Sequence, residues 1–234
     1  MKRHLPVLVA TVAVAVALPV IAQADHKPGH DKPGNPGNPG SEELSIAAKP
    51  NPTVYRNATV ITGSLKAPDN EAKTVVLYED EFPFGTGVKN VATTTTDAKG
   101  DYTFTRSPAR NTSFQAVADR GTPYAVPVSS QALIVGVRIR MSLRVSDNTP
   151  KTGQVVRFRG RACPAHDGLG VRIQRKTSTG AFRTVRRTKL RAATRCSAFN
   201  KRMRVYRDGT YRVTSDDADH SRGYSRARFL NAHG

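Results

Sequence analysis

Val155-Val156-Arg157-Phe158-Arg159-Gly160-Arg161-Ala162 alternates strictly: Val156, Phe158, Gly160 and Ala162 on one side, Val155, Arg157, Arg159 and Arg161 on the other. A period of two is that of a half-buried β-strand, because successive side chains of an extended chain point to opposite faces. The pattern extends upstream, where Val137, Ile139, Met141, Leu143 and Val145 interleave with Arg138, Arg140, Ser142 and Arg144. This predicts one strand over 137–145. Downstream, Val171 and Ile173, Phe182 and Val185, Phe199, Met203 and Val205, then Tyr211 and Val213 mark further strands. Turn-forming residues separate them: Asn148-Thr149-Pro150, Asp167-Gly168, Thr179-Gly180 and Asp208-Gly209. No stretch carries a helical period, so the spacing predicts a β-sandwich with polar residues on the outer faces.

The same arrangement occurs earlier in the chain. Thr59-Val60-Ile61-Thr62-Gly63 aligns with Val156-Arg157-Phe158-Arg159-Gly160, and Val75 and Leu77 with Val171 and Ile173. Val88 and Val91 align with Phe182 and Val185, and Phe114-Gln115-Ala116-Val117 with Tyr211-Arg212-Val213-Thr214. Each unit is about 95 residues long, close to the ~100 of one seven-stranded sandwich. Gln131-Ala132-Leu133-Ile134-Val135-Gly136 closes the first unit and runs into Val137-Arg138-Ile139-Arg140 with no polar linker. That junction limits hinge freedom and predicts a semi-rigid two-domain rod.

Lys49-Pro50-Asn51-Pro52-Thr53-Val54-Tyr55, Ile61-Thr62-Gly63 and Thr93-Thr94-Thr95-Thr96-Asp97-Ala98-Lys99-Gly100-Asp101-Tyr102-Thr103-Phe104 resemble bacterial immunoglobulin-like repeats of secreted and surface proteins. The second unit is similar to them through residues 152–160 and 208–213. The resemblance implies an all-β chain of two tandem immunoglobulin-like β-sandwiches. It also implies a spacer, stalk or adhesive module rather than an enzyme. The chain has no Trp, and so lacks the buried-Trp signature of antibody domains.

Before the repeats, Lys2 and Arg3 precede an apolar run from Leu5 to Ile21 that ends in Ala22-Gln23-Ala24. This reads as a secretory signal peptide over 1–24. A transmembrane anchor is the rival reading, weakened by Pro6 and Pro19 and by a run short of the ~20 residues a bilayer needs. Residues 25–42 read as a disordered Pro/Gly-rich leader. His26 and His30 there offer weak copper chelation at most. The remaining domains are 43–136 and 137–234, and the reading is of a secreted or surface-associated protein with no transmembrane anchor.

Charge divides the units. Residues 137–234 carry 24 Lys/Arg against 6 Asp/Glu, whereas 42–136 carry 9 against 10. The alternation places Arg138, Arg140, Arg144, Arg157, Arg159, Arg161, Arg172, Arg202, Arg204 and Arg212 at outward positions. Arginine grips phosphate and carboxylate through a planar fork, so an envelope or extracellular polyanion is the expected partner. Charged outer faces also serve solubility alone. Few aromatics stand among these arginines, which argues against a single-strand platform and against sequence-specific nucleic-acid recognition. Oligomeric state stays open.

Other candidates weigh less. Cys163 and Cys196, an even count in an exported chain, read as a disulfide rather than a reactive thiol. Asp216-Asp217-Ala218-Asp219-His220 offers oxygen and nitrogen ligands but no EF-hand spacing, and reads first as turn chemistry. His166-Asp167 lacks a nucleophile motif and reads as a turn. Phe82 and Phe84, beside Glu79, Asp80 and Glu81, are expected to pack on the sandwich edge; exposed, they would bind a protein or glycan. No catalytic residue, metal ligand or cofactor site is assigned.

Overall fold

The computed structural model describes residues 43–119 and 126–234, so the signal peptide and leader readings lie outside the described residues. In the first sandwich, β1 (Glu43–Leu44), β2 (Ala47–Lys49) and β7 (Asp101–Arg106) pair with β4 (Thr59–Lys66). The facing sheet orders β10 (Leu133–Val135), β8 (Thr112–Ala118), β5 (Thr74–Glu81) and β6 (Lys89–Thr95), with β9 (Val128–Ser129) beside β8. In the second, β12 (Arg140–Met141), β13 (Arg144–Val145) and β17 (Ser197–Val205) pair with β14 (Gln154–Cys163). Its partner sheet orders β16 (Phe182–Lys189), β15 (Gly170–Lys176) and β18 (Gly209–Ser215), with β19 (Gly223–Tyr224) and β20 (Arg228–Leu230) on β18. Each sandwich therefore sets strands A, B and E against C′, C, F and G, a Greek-key partition of immunoglobulin-like type. The chain is two such sandwiches in tandem.

The alternation is the cause. Ile61, Leu65, Val75, Leu77, Phe114 and Ala116 fill one core, and Val156, Phe158, Val171, Ile173, Tyr211 and Val213 fill the other. Burial of each Val, Leu, Ile and Phe among them contributes about 1.5–3 kcal/mol relative to leaving it in water.

The repeat extends to details that periodicity does not reveal. Leu77 pairs with Ala116 and Ile173 with Val213, and a bulge follows Leu77 and Ile173 alike. The Ala116 amide donates to Ser130 Oγ at 3.0 Å, and the Val213 amide donates to Ser225 Oγ at 3.0 Å. Gly63 lies opposite Tyr102 and Gly160 opposite Phe199. A Cβ at Gly63 would strike Ser45 O and the Tyr102 ring; one at Gly160 would strike Ser142 O and the Phe199 ring.

The junction differs from one expectation. The predicted strand over 137–145 divides into β11 (Val137–Arg138), β12 and β13. The cause is a change of partner: β11 pairs in parallel with β3 (Thr53–Val54) of the first sandwich, whereas β12 and β13 pair with β14. Only Gly136 separates β10 from β11, and its carbonyl accepts the Thr53 amide at 2.9 Å. Asn51 Oδ1 accepts the Gly136 amide at 3.0 Å, and Asn111 Oδ1 accepts the buried Val137 amide at 2.8 Å. Arg140 donates from Nε and Nη2 to Tyr55 O at 3.0 and 2.7 Å. The joint is thus held by the ordinary means of a folded interior, and both sandwiches belong to one compact unit.

Candidate functional site

The ten outward arginines fall into three groups. Arg144, Arg157, Arg159, Arg161, Arg202 and Arg204 share the outer face of the β12–β14–β13/β17 sheet. Arg144 stands directly opposite Arg159, and Arg157 directly opposite Arg202. Along a strand, same-face residues repeat about every 6.7 Å, and strands lie about 4.8 Å apart. The face is thus a close lattice of guanidinium groups, dished where Ser142, Arg144, Arg159, Arg161, Ala198 and Asn200 meet. Among the described residues no carboxylate forms an ion pair with any of the six. Arg204 donates to Gly153 O at 2.9 Å.

The other four lie elsewhere. Arg138 sits at the joint, where its backbone bridges to Ser221 and the residue stays exposed, and Arg140 is spent on Tyr55 O and Asn57 Oδ1. Arg172 and Arg212 project from the opposite sheet. Arg172 pairs with Asp216, which Arg222 also contacts at 3.1 Å. Burial alone would raise the Asp216 carboxyl, but the hydrogen bonds from Arg222 and Arg172 outweigh it and hold it below the usual value. The Arg212 guanidinium lies 3.9 Å from the Phe182 ring centre and 4.3 Å from that of Tyr224. Alternation tells which side of a strand a residue takes, not which sheet carries the strand or what covers that side. It passed over Arg183, Arg186 and Arg187 on β16, whose position at a sheet edge suits charges that discourage pairing with another chain.

Phe82 and Phe84 pack against each other, edge to face with centres 5.6 Å apart; Phe82 is half-buried and Phe84 remains 39% exposed. Behind them Glu79 is buried and held by Lys89 and Arg106 at 3.2 and 3.0 Å.

Cys163 and Cys196 form the expected disulfide, joining the end of β14 to the approach of β17. It anchors the loop carrying His166, whose amide donates to Ser197 Oγ at 2.7 Å. That loop meets the turn after β18. One ring nitrogen each of His166 and His220 and one carboxylate oxygen each of Asp217 and Asp219 lie within 4.8 Å of one another. The expected turn chemistry is there too, since the His220 amide donates to Asp217 Oδ1 at 2.9 Å. What the sequence did not reveal is His166, brought in from a distant loop. Burial pushes His166 below its ordinary value, with Asp217 opposing only in part. Burial pushes Asp217 up, and the neighbouring Asp219 carboxylate adds to the rise. Burial works to raise Asp219 as well, but its contacts with Asp217 and His220 outweigh that and lower it.

No protein-family model matches the chain, and no curated protein matches it. Among solved structures it overlays on the tetra-tandem repeat in the extending region of a large adhesion protein, at 17% identity and a TM-score of 0.36. That overlay covers 82% of this chain and 50% of the other, so the chain spans half the length of the structure it matches. It also overlays on the polymeric Ig receptor ectodomain of a teleost fish, at 10% identity and a TM-score of 0.37, covering 82% and 98%. The partition of strands, rather than either overlay, defines this chain as a tandem immunoglobulin-like protein. No helix among the described residues is long and apolar enough to cross a membrane.

Proposed function

We propose that this is an exported, non-catalytic protein that holds to envelope or extracellular polyanions through the arginine face of its second sandwich. The observation that carries the reading is the pairing of like charges. Arg144 opposite Arg159 and Arg157 opposite Arg202 each cost about 0.2–1 kcal/mol relative to neutral pairs. Edge protection does not account for Arg157, Arg159 and Arg161, because β14 is the central strand of its sheet. An anionic ligand offsets the repulsion by lying across the lattice and accepting forked hydrogen bonds. The disulfide fits an oxidising compartment, where such polymers are met.

The test is retention of the whole chain on heparin, duplex DNA and anionic vesicles across a salt series. Steep elution from all three supports the reading, with each phosphate neutralised on duplex DNA contributing about −0.9 to the slope of log K against log salt. Absence of retention at physiological ionic strength overturns it. Adhesion through the β5–β6 loop is the second reading, favoured by the exposed Phe84. Salt-insensitive binding to a protein or glycan that Phe84→Ala abolishes would establish it instead.

A further inference from the structure

His220 is 4% exposed, and its Nε2 lies 2.9 Å from Ala109 O in the first sandwich. A carbonyl oxygen only accepts, so Nε2 is the protonated nitrogen. In the neutral ring Nδ1 then carries a bare lone pair. That lone pair faces Asp219 Oδ1 at 3.1 Å and Asp217 Oδ1 at 3.6 Å, and Nδ1 makes no well-aligned hydrogen bond. His166 Nε2 is likewise buried without a partner, while its Nδ1 lies 2.9 Å from Asp217 Oδ2. Two imidazoles and two carboxylates thus converge on one small volume, with His220 Nδ1 and His166 Nε2 both buried and unpartnered. Arg110 is the cation nearby, and it ion-pairs with Glu81 in the first sandwich at 3.9 Å.

We propose that His166, Asp217, Asp219 and His220 form a binding site for a divalent cation of the zinc class. Two imidazole nitrogens with two carboxylates suit zinc or a neighbouring first-row ion rather than calcium or magnesium, which take oxygen ligands almost alone. Ligands of a tetrahedral zinc stand about 3.4 Å apart, so ligation draws the widest pair inward by somewhat over an ångström through side-chain rotation. The outer contacts are already those of a metal site. Nε2 of His220 is anchored on a carbonyl, which fixes the ring and leaves Nδ1 to coordinate.

The place gives the ion a role. Asp219 O accepts the Asn111 amide at 2.9 Å, Ser221 Oγ donates to Asn111 Oδ1 at 3.2 Å, and Tyr55 packs edge-on against His220. The turn that would hold the cation is therefore the turn on which the first sandwich docks. A filled site ties that turn to the disulfide-anchored loop of His166 and stiffens the joint.

The experiment is zinc titration of the metal-stripped full chain, followed by calorimetry and by ring-nitrogen NMR of its histidines. Expected is one zinc per chain whose binding shifts His166 and His220, with affinity falling at least about tenfold in His166→Gln and in Asp217→Asn. Hydrogen exchange at the Val137 and Tyr55 amides slows when zinc is bound. Shifts confined to His26 and His30, calcium binding in place of zinc, or unchanged affinity in both variants would each overturn the proposal. The NMR readout on the unaltered chain decides the matter even where a variant fails to fold.

Discussion

The two sandwiches share a frame and differ in what they place on it. Gly63–Tyr102 and Gly160–Phe199 fix the correspondence, and from it the outer face of the A–B–E sheet can be compared position by position. Where the second sandwich has Arg157, Arg159, Arg161 and Arg202, the first has Val60, Thr62, Ser64 and Thr105, in the same cross-strand register. A sandwich of this type therefore has no need of charge there. The first sandwich serves as a matched blank for the second, which separates what folds the chain from what its surface is for.

The comparison breaks most visibly at the disulfide, which only the second sandwich possesses. Replacing both cysteines by serine removes a closed loop spanning a separation of 33 residues, a loss of about 3–4 kcal/mol in the chain-entropy model. Urea unfolding should show that loss in the second sandwich and leave the first near its original midpoint. Equal shifts in both would mean that the joint couples them into one cooperative unit.

Next in size are the glycines. Gly63→Ala and Gly160→Ala each press a methyl group against a backbone carbonyl and an aromatic ring, at a cost of about 1–3 kcal/mol. The two costs should match. A clear inequality would show that the frames are less alike than their registers.

A smaller effect sharpens the contrast between Tyr102 and Phe199. Tyr102 donates its hydroxyl to Ser45 O at 2.6 Å, and burial raises the pKa of that hydroxyl above its ordinary value. Unfolded chain releases this proton above about pH 10 while folded chain retains it, so the contribution is full below pH 10 and is lost as pH rises. Tyr102→Phe should cost about 1 kcal/mol at neutral pH and flatten the alkaline decline. An unchanged decline would place its origin in other groups.

Much of this was open to reading from the chain. Buried and exposed positions on β4, β14 and β15 follow hydrophobic alternation, because a sandwich strand has one dry face and one wet one. Strands β5 and β18 depart from it at buried Glu79 and Asp80 and at buried Thr214 and Ser215. The paired cysteines followed from their even count. The fate of individual side chains did not. Arg140 alternates as faithfully as Arg159, yet its partners Tyr55 and Asn57 lie in the other sandwich, and no local pattern encodes a contact across the joint. His166 looked like an ordinary turn residue for the same reason: its neighbours Asp217 and His220 arrive only when two loops close at one end of the fold.

The central claim is that the arginine face exists for binding and costs stability. It is tested most directly by giving the second sandwich the surface of the first, Arg157→Val, Arg159→Thr, Arg161→Ser and Arg202→Thr together, and measuring duplex-DNA affinity across salt beside urea stability. The account expects a slope flatter by about three to four and a fold more stable by about 0.4–2 kcal/mol, because both like-charge pairs are removed. Retained affinity with an unaltered slope would contradict it.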